Sequence, residues 1–199
     1  MSVHCILISV TLAENSNHRG PDIVEWYREF EPTANFRQRI ETLLKYVPED
    51  YFRGLKTIVL ANRSALTRDQ RKKKVWSRNH KVRLADADGT YKRASKSSEA
   101  AVWLYVDNIC SGESWLGRNL PLVRYMRLSD VLYHEIGHHI HTEYRPSHAE
   151  REDVAEDWSR KLWGRFVRKR YWYAFPVLYL FALLASVLAR HAKWNRVRA

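Results

Sequence analysis

The chain has 199 residues, a formal net charge of +12 and two cysteines, Cys5 and Cys110. That length can bury a substantial core in one domain with an appendage, and a composition of 45% apolar and 28% charged residues excludes a disordered or collagen-like chain. Two cysteines exclude a disulfide framework and fit a reducing compartment.

The apolar run from Val3 to Ala13 lacks a basic leader and is interrupted by His4, so it predicts a strand more than a signal peptide. Gly20-Pro21 marks a turn. Residues 22–30 predict a short helix, interrupted by Pro32. Phe36, Ile40, Leu43, Leu44 and Val47 then recur at helical spacing, which predicts a second helix with one buried face, ended by Pro48. Leu55 to Leu60 (LKTIVL) reads as a buried strand. The basic stretch 68–83 contains Arg68, Arg71, Lys72, Lys73, Lys74, Arg78, Lys81 and Arg83. It is read as a solvated loop, with nucleic acid or anionic lipid as the lesser alternative, because only Trp76 interleaves the charges. Asp88-Gly89 predicts a turn and Ala100 to Val106 (AAVWLYV) a second strand. A strand beside an active-site helix can hold a peptide by main-chain pairing, a role expected here of residues 101–106.

Residues 134–138 read His-Glu-Ile-Gly-His on a predicted helix that starts near Ser129-Asp130 and carries Val131, Leu132, Ile136 and Ile140 on its apolar side. Histidines at i and i+4 leave a helix on one face, so His134 and His138 can converge on one ion. Glu135 is placed to act on a water at that ion as general base. Gly137 costs helix propensity, which close packing beneath the site would explain. A catalytic zinc needs a third protein ligand and an open position. The next helix, SHAEREDVAEDWSRKLWGRF, shows Val154, Trp158, Leu162 and Phe166 as a buried stripe with Glu152 and Glu156 on its border. Glu152 is the expected third ligand. Glu156, one turn on, is the expected acceptor for the outer N–H of a ligand histidine. His148 is the alternative ligand.

HEIGH followed by Glu152-x-x-Ala155-Glu156 resembles the gluzincin pattern HExxH…ExxAD of compact ImmA/IrrE-like and CAAX-prenyl-protease-like peptidases. The resemblance covers about residues 125–165 and departs at Glu156, where Asp is usual. It implies zinc held by His134, His138 and Glu152, with Glu135 as the base. It also implies peptide-bond hydrolysis of a protein or peptide substrate. The implied fold is α+β: a small zincin-like domain over residues 1–165, with a short antiparallel or mixed sheet packed on the motif helix and a Glu-bearing helix. Three-histidine ligation through His148 would instead resemble SprT-like proteases acting on nucleic-acid-bound proteins, which usually follow that histidine with Gly where Ala149 stands here. A binding or regulatory module with a structural or vestigial zinc is the alternative of a different class.

Residues 171–189 carry no charge and would span about 28 Å as a helix at about 1.5 Å per residue. Basic residues flank both ends and aromatics open the segment, so a single-pass transmembrane helix is expected, followed by a short basic tail over 190–199. The catalytic domain is then expected at the membrane on its cytoplasmic side. Eight of the Lys/Arg residues, and no acid, follow Gly164, which leaves a net +4 for residues 1–163.

Overall fold

A computed structural model describes residues 20–32, 34–77, 80–111, 121–145, 147 and 151–174. The strand expected over Val3 to Ala13 lies outside them. The two predicted strands form as β2 (Leu55–Ala61) and β6 (Ala100–Tyr105), paired in parallel. They make the middle of a four-stranded mixed sheet. Asp22–Trp26 (β1) adds in parallel beside β2, and Gly89–Lys92 (β5) adds antiparallel beside β6. The helix expected over 22–30 is therefore strand β1. So short a helix is marginal by itself, whereas β-branched Ile23 and Val24 suit a strand and β2 offers them a full ladder. At Asp88-Gly89 the expected change of direction is a bend at Asp88, and Gly89 opens β5.

Alternation along the strands sends Ile58, Leu60, Val102 and Leu104 to one sheet face, where all four are buried. Helix α4 (Pro121–Tyr144) packs there against β5 and β6. Helix α1 (Phe36–Leu44) follows the predicted spacing, burying Phe36, Ile40 and Leu43. It joins α4 where the Tyr133 hydroxyl donates to the Leu43 carbonyl at 3.0 Å. On the opposite face, Val59, Ala61 and Tyr105 pack with Leu66, Leu84, Ala85 and Ala87. Val75 and Val82 add to that cluster from an antiparallel hairpin of β3 (Lys74–Ser77) and β4 (His80–Arg83). The stretch read as a solvated loop is thus this hairpin together with α2 (Arg68–Lys72), which a Thr67/Gln70 capping box starts. Its alternating valines anchor it, and the cations of α2 and β3 stay exposed.

α4 starts eight residues before the expected Ser129, at Pro121, a residue suited to a helix's first turn. Ser129 caps nothing; its hydroxyl donates back to the Met126 carbonyl at 2.9 Å. From Val131 to His141 every residue is buried. Helix α5 (Glu152–Arg170) crosses it. A Cβ on Gly137 would stand 2.6 Å from the Ala155 carbonyl oxygen and 2.9 Å from its Cα. The expected close packing beneath the motif is this backbone-to-backbone contact. The buried face of α5 accordingly centres on Ala155, Ser159 and Leu162, with Val154 and Trp158 only partly covered.

The chain divides into two compact units, Met1–Trp163 and Gly164–Ala199. In the second, Tyr171 is a bend, Trp172–Ala174 a single 3-10 turn, and the Phe166 and Tyr171 rings meet edge to face at 5.9 Å. Among the described residues no helix is long and apolar enough to cross a membrane. The single-pass membrane placement is corrected on that finding: α5 ends at Arg170, and the first four residues of the expected span do not continue it. Residues 175–189 of the span and the tail 190–199 lie outside the described residues.

Replacing Gly137 by alanine drives a methyl group into backbone that cannot rotate away. Urea unfolding of Gly137→Ala should show a loss of about 1–3 kcal/mol, the usual cost of overpacking. An unchanged midpoint would mean that the helices do not cross this closely.

Candidate metal centre

Three side chains from two helices meet at one point. His134 and His138 leave α4 one turn apart, as i and i+4 spacing requires. Glu152, in the first turn of α5, reaches them from across the helix crossing. His134 Nε2 lies 3.1 Å from His138 Nε2 and 3.1 Å from Glu152 Oε2, and His138 Nε2 lies 3.7 Å from the same oxygen. Ligands bonded to one tetrahedral ion at about 2.0–2.1 Å stand about 3.3 Å apart. The triangle brackets that spacing, so His134, His138 and Glu152 can hold a metal ion. Both histidines are buried, and the Glu152 side chain is only 20% exposed.

Glu135 is also buried and turns toward the sheet edge. A Cβ on Gly89 would stand 3.2 Å from Glu135 Oε1 and 2.7 Å from Val131 Cγ1. Glycine at the start of β5 is what lets that strand approach the helix beside Glu135. The approach is fixed from below. Asn108 of the short helix α3 (Val106–Ser111) donates from Nδ2 to the Ala85 and Ala87 carbonyls at 2.9 and 2.7 Å, and Arg63 donates to Asn108 Oδ1 at 2.8 Å. Arg127 of α4 reaches Asp88 Oδ2 at 3.5 Å and the Asn108 carbonyl at 3.3 Å.

His139 points away from this group, as its place on the helix implies. Its Nε2 donates to the Arg53 carbonyl at 2.9 Å, and its Nδ1 is 3.3 Å from the Tyr91 hydroxyl. A carbonyl can only accept, so the proton sits on Nε2 and Nδ1 is left to accept from Tyr91. Burial holds the His139 pKa below its usual value, against the opposing pull of the Arg53 carbonyl and the Glu143 charge. His141, one turn on from His138, is buried.

Two expectations change. Glu156 is exposed, and among the described residues it makes no hydrogen bond to either ligand histidine. It sits one position past Ala155, the residue pressed against Gly137, and so turns about 100° away from the crossing. The stripe drawn through the large residues Val154 and Trp158 misplaced the face, because the tightest contact is made by the smallest residues. The strand expected to receive a peptide also moves. β6 is paired on both sides over residues 101–104, between β2 and β5, so the outer strands of the sheet are β1 and β5, of which β5 packs on α4. His148 lies outside the described residues. Arg53, Gly89 and Tyr91 carried no sequence signal as parts of a site; only Gly89, read as a turn, stood out.

Scans against models of protein families, the curated proteins and the solved structures found no match for this chain.

Two measurements follow. Purified full-length chain should carry near-stoichiometric divalent metal. Glu152→Ala should lower its affinity in chelator competition by more than the roughly 10–100-fold that loss of an outer-shell partner costs. Unchanged affinity would move the third ligand elsewhere, to His148 first. The second concerns pH. Because the folded pKa of His139 lies below the unfolded one, the unfolded chain binds more protons in that window. The stability His139 contributes is complete above about pH 6.5 and is lost as pH falls through its folded pKa. In chelator, wild type should lose stability more steeply than His139→Gln below that pH. Parallel curves would show that His139 is not held neutral.

Proposed function

We propose that the chain is a zinc-dependent metallopeptidase of the gluzincin type, hydrolysing peptide bonds in protein or peptide substrates. The observation that carries this reading is the His134–His138–Glu152 triangle, with a buried carboxylate, Glu135, next to His134 on the same helix and beside Gly89 of β5. Two imidazoles and one carboxylate are a ligand set suited to zinc, and three protein ligands leave a position open, as catalytic sites require. When bound, the ion supplies a Lewis acid that polarises the scissile carbonyl and acidifies water.

The chain's own groups do the rest. Glu135 accepts a proton from the attacking water as the water oxygen bonds to the carbonyl carbon. It delivers that proton to the amine nitrogen as the C–N bond breaks. The edge strand supports a peptide. The Asp88 carbonyl accepts from the Tyr105 amide at 2.8 Å, which sets the phase of the β5–β6 ladder. In an antiparallel ladder inward and outward residues alternate. Thr90 and Lys92 then turn their main chain toward β6, and Gly89 and Tyr91 turn theirs outward, on the register Gly89↔Leu104 to Lys92↔Ala101. An extended substrate can pair with those outward groups beside Glu135.

Glu135→Gln should retain metal and lose hydrolysis of a quenched fluorescent peptide by about 100-fold or more, the usual contribution of a general base. Full activity in that variant, or a folded wild type that carries no metal, would sink the reading.

A further inference from the structure

Positive charge is concentrated on one part of this chain. Residues 68–96 hold eleven Lys/Arg against three acids, Asp69, Asp86 and Asp88, a net +8, whereas residues 1–163 together carry only +4. The remainder of residues 1–163 is therefore net acidic, and most of the excess sits on α2 and the β3–β4 hairpin. The hairpin's register explains how it is presented. Val75 and Val82 pair with each other and pack inward on the apolar cluster beneath. Alternation turns the adjoining pair, Lys74 and Arg83, outward, and both are exposed. Like charges directly opposite in a ladder stand roughly 5 Å apart at Cβ and oppose the pairing, a cost that an anion shared between them removes. Arg71 of α2 adds a third fixed cation. Its Nε and Nη2 donate to the Leu66 and Ser64 carbonyls at 3.0 and 3.1 Å, neutral groups that hold the guanidinium in place and leave its charge. Among the described residues no carboxylate pairs with Arg71, Lys74 or Arg83.

Within the segment only Trp76 interleaves the charges, but the fold brings aromatics to it from distant strands. Trp103 packs on the same apolar cluster as Val75 and Val82. It shares the sheet face opposite α4 with Trp26 of β1, and the two rings meet edge to face with centroids 5.4 Å apart. Lys92 Nζ lies 3.5 Å from the centre of the Trp103 ring and covers it. Trp26 is left 44% exposed and braced along one edge. Fixed cations beside an exposed, oriented ring suit a single strand of nucleic acid, whose phosphates follow the charges while a base stacks on the ring. We propose that the face formed by Arg71, Lys74, Arg83 and Trp26 binds single-stranded nucleic acid. A duplex suits it less, because paired bases keep their faces inside the stack. An anionic bilayer suits it less, because interfacial binding sets an apolar face beside the cations, and the hairpin's valines are turned into the core. This face lies across the sheet from α4, apart from the His134–His138–Glu152 group, and does not rest on the peptidase reading.

The test is binding of labelled oligothymidylate and oligouridylate, each about 16 nucleotides long, to the full-length chain as salt is raised. At least one should bind, and the tighter of the two tells DNA from RNA. Each cation that neutralises a phosphate contributes about 0.7 to the slope of log affinity against log salt for a single strand. The double variant Lys74→Gln, Arg83→Gln should therefore make that slope shallower by about 1.4. Trp26→Ala should weaken binding about fivefold or more at fixed salt, and Trp26→Phe should restore most of it. Five results overturn the assignment: neither oligonucleotide bound at about 50 mM salt; a slope unchanged in the double variant, which would give the binding to the cations after Gly164; affinity unchanged in Trp26→Ala; a duplex of the same length bound as tightly as the single strand; or phosphatidylserine vesicles bound through Lys74 and Arg83 in place of either oligonucleotide.

Discussion

Contact between Gly137 and Ala155 is the constraint on which the site depends. Glycine inside a helix costs about 1 kcal/mol relative to alanine, and here the missing side chain lets two helix backbones touch. The consequence is one of registration. His134 stands three residues before Gly137, and Glu152 three residues before Ala155. Pinning 137 against 155 therefore brings the preceding turns of both helices together, and His138 follows directly. A larger residue at either position would separate the helices and open a triangle whose usefulness depends on sides near 3 Å.

The motif helix is buried on every side from Val131 to His141, an unusual setting for so many polar groups. Tyr133, His134, His138 and His139 are tolerated because each meets a partner. The helical step of about 100° per residue sorts them into separate tasks. His134 and His138 turn toward α5 and Glu152. Glu135 turns toward the edge strand. His139 turns toward Arg53 and Tyr91, where it ties the helix to the chain entering β2 and to β5. Two adjacent histidines on one helix thus serve opposite ends: His138 belongs to the metal group and His139 is a neutral structural link.

Edge strand β5 is the second element around which the site is arranged. It is only four residues long, and its position comes from neighbours more than from its own ladder. Asn108, Arg63 and Arg127 hold the segment that leads into it, and Gly89 allows the final approach to Val131 and Glu135. The strand's two faces then differ in chemistry: Tyr91 reaches His139 on the helix side, while Lys92 lies over Trp103 on the other. Short length and a charged residue at its end also keep this edge from pairing indiscriminately.

Local pattern in the sequence determined what depends on neighbours in the chain. Spacings of four placed His134 and His138 on one helix face, apolar runs marked β2 and β6, and Phe36, Ile40 and Leu43 marked the buried side of α1. Glu152 could be named from the sequence because it borders the apolar stripe of the next helix and matches the motif the chain resembles, and the structure brings it to the histidines. Only the tertiary structure decided the rest. Residues 22–26 became a strand because β2 was there to pair with them. β6 became an inner strand because β5 pairs along its far side, which leaves β5 and β1 as the outer strands. Glu156 turned outward because the tightest crossing selects small residues, which hydrophobic patterning does not register. Spacing along one helix is a property of the chain; which backbone comes within 3 Å of which is a property of packing, and distant residues settle it.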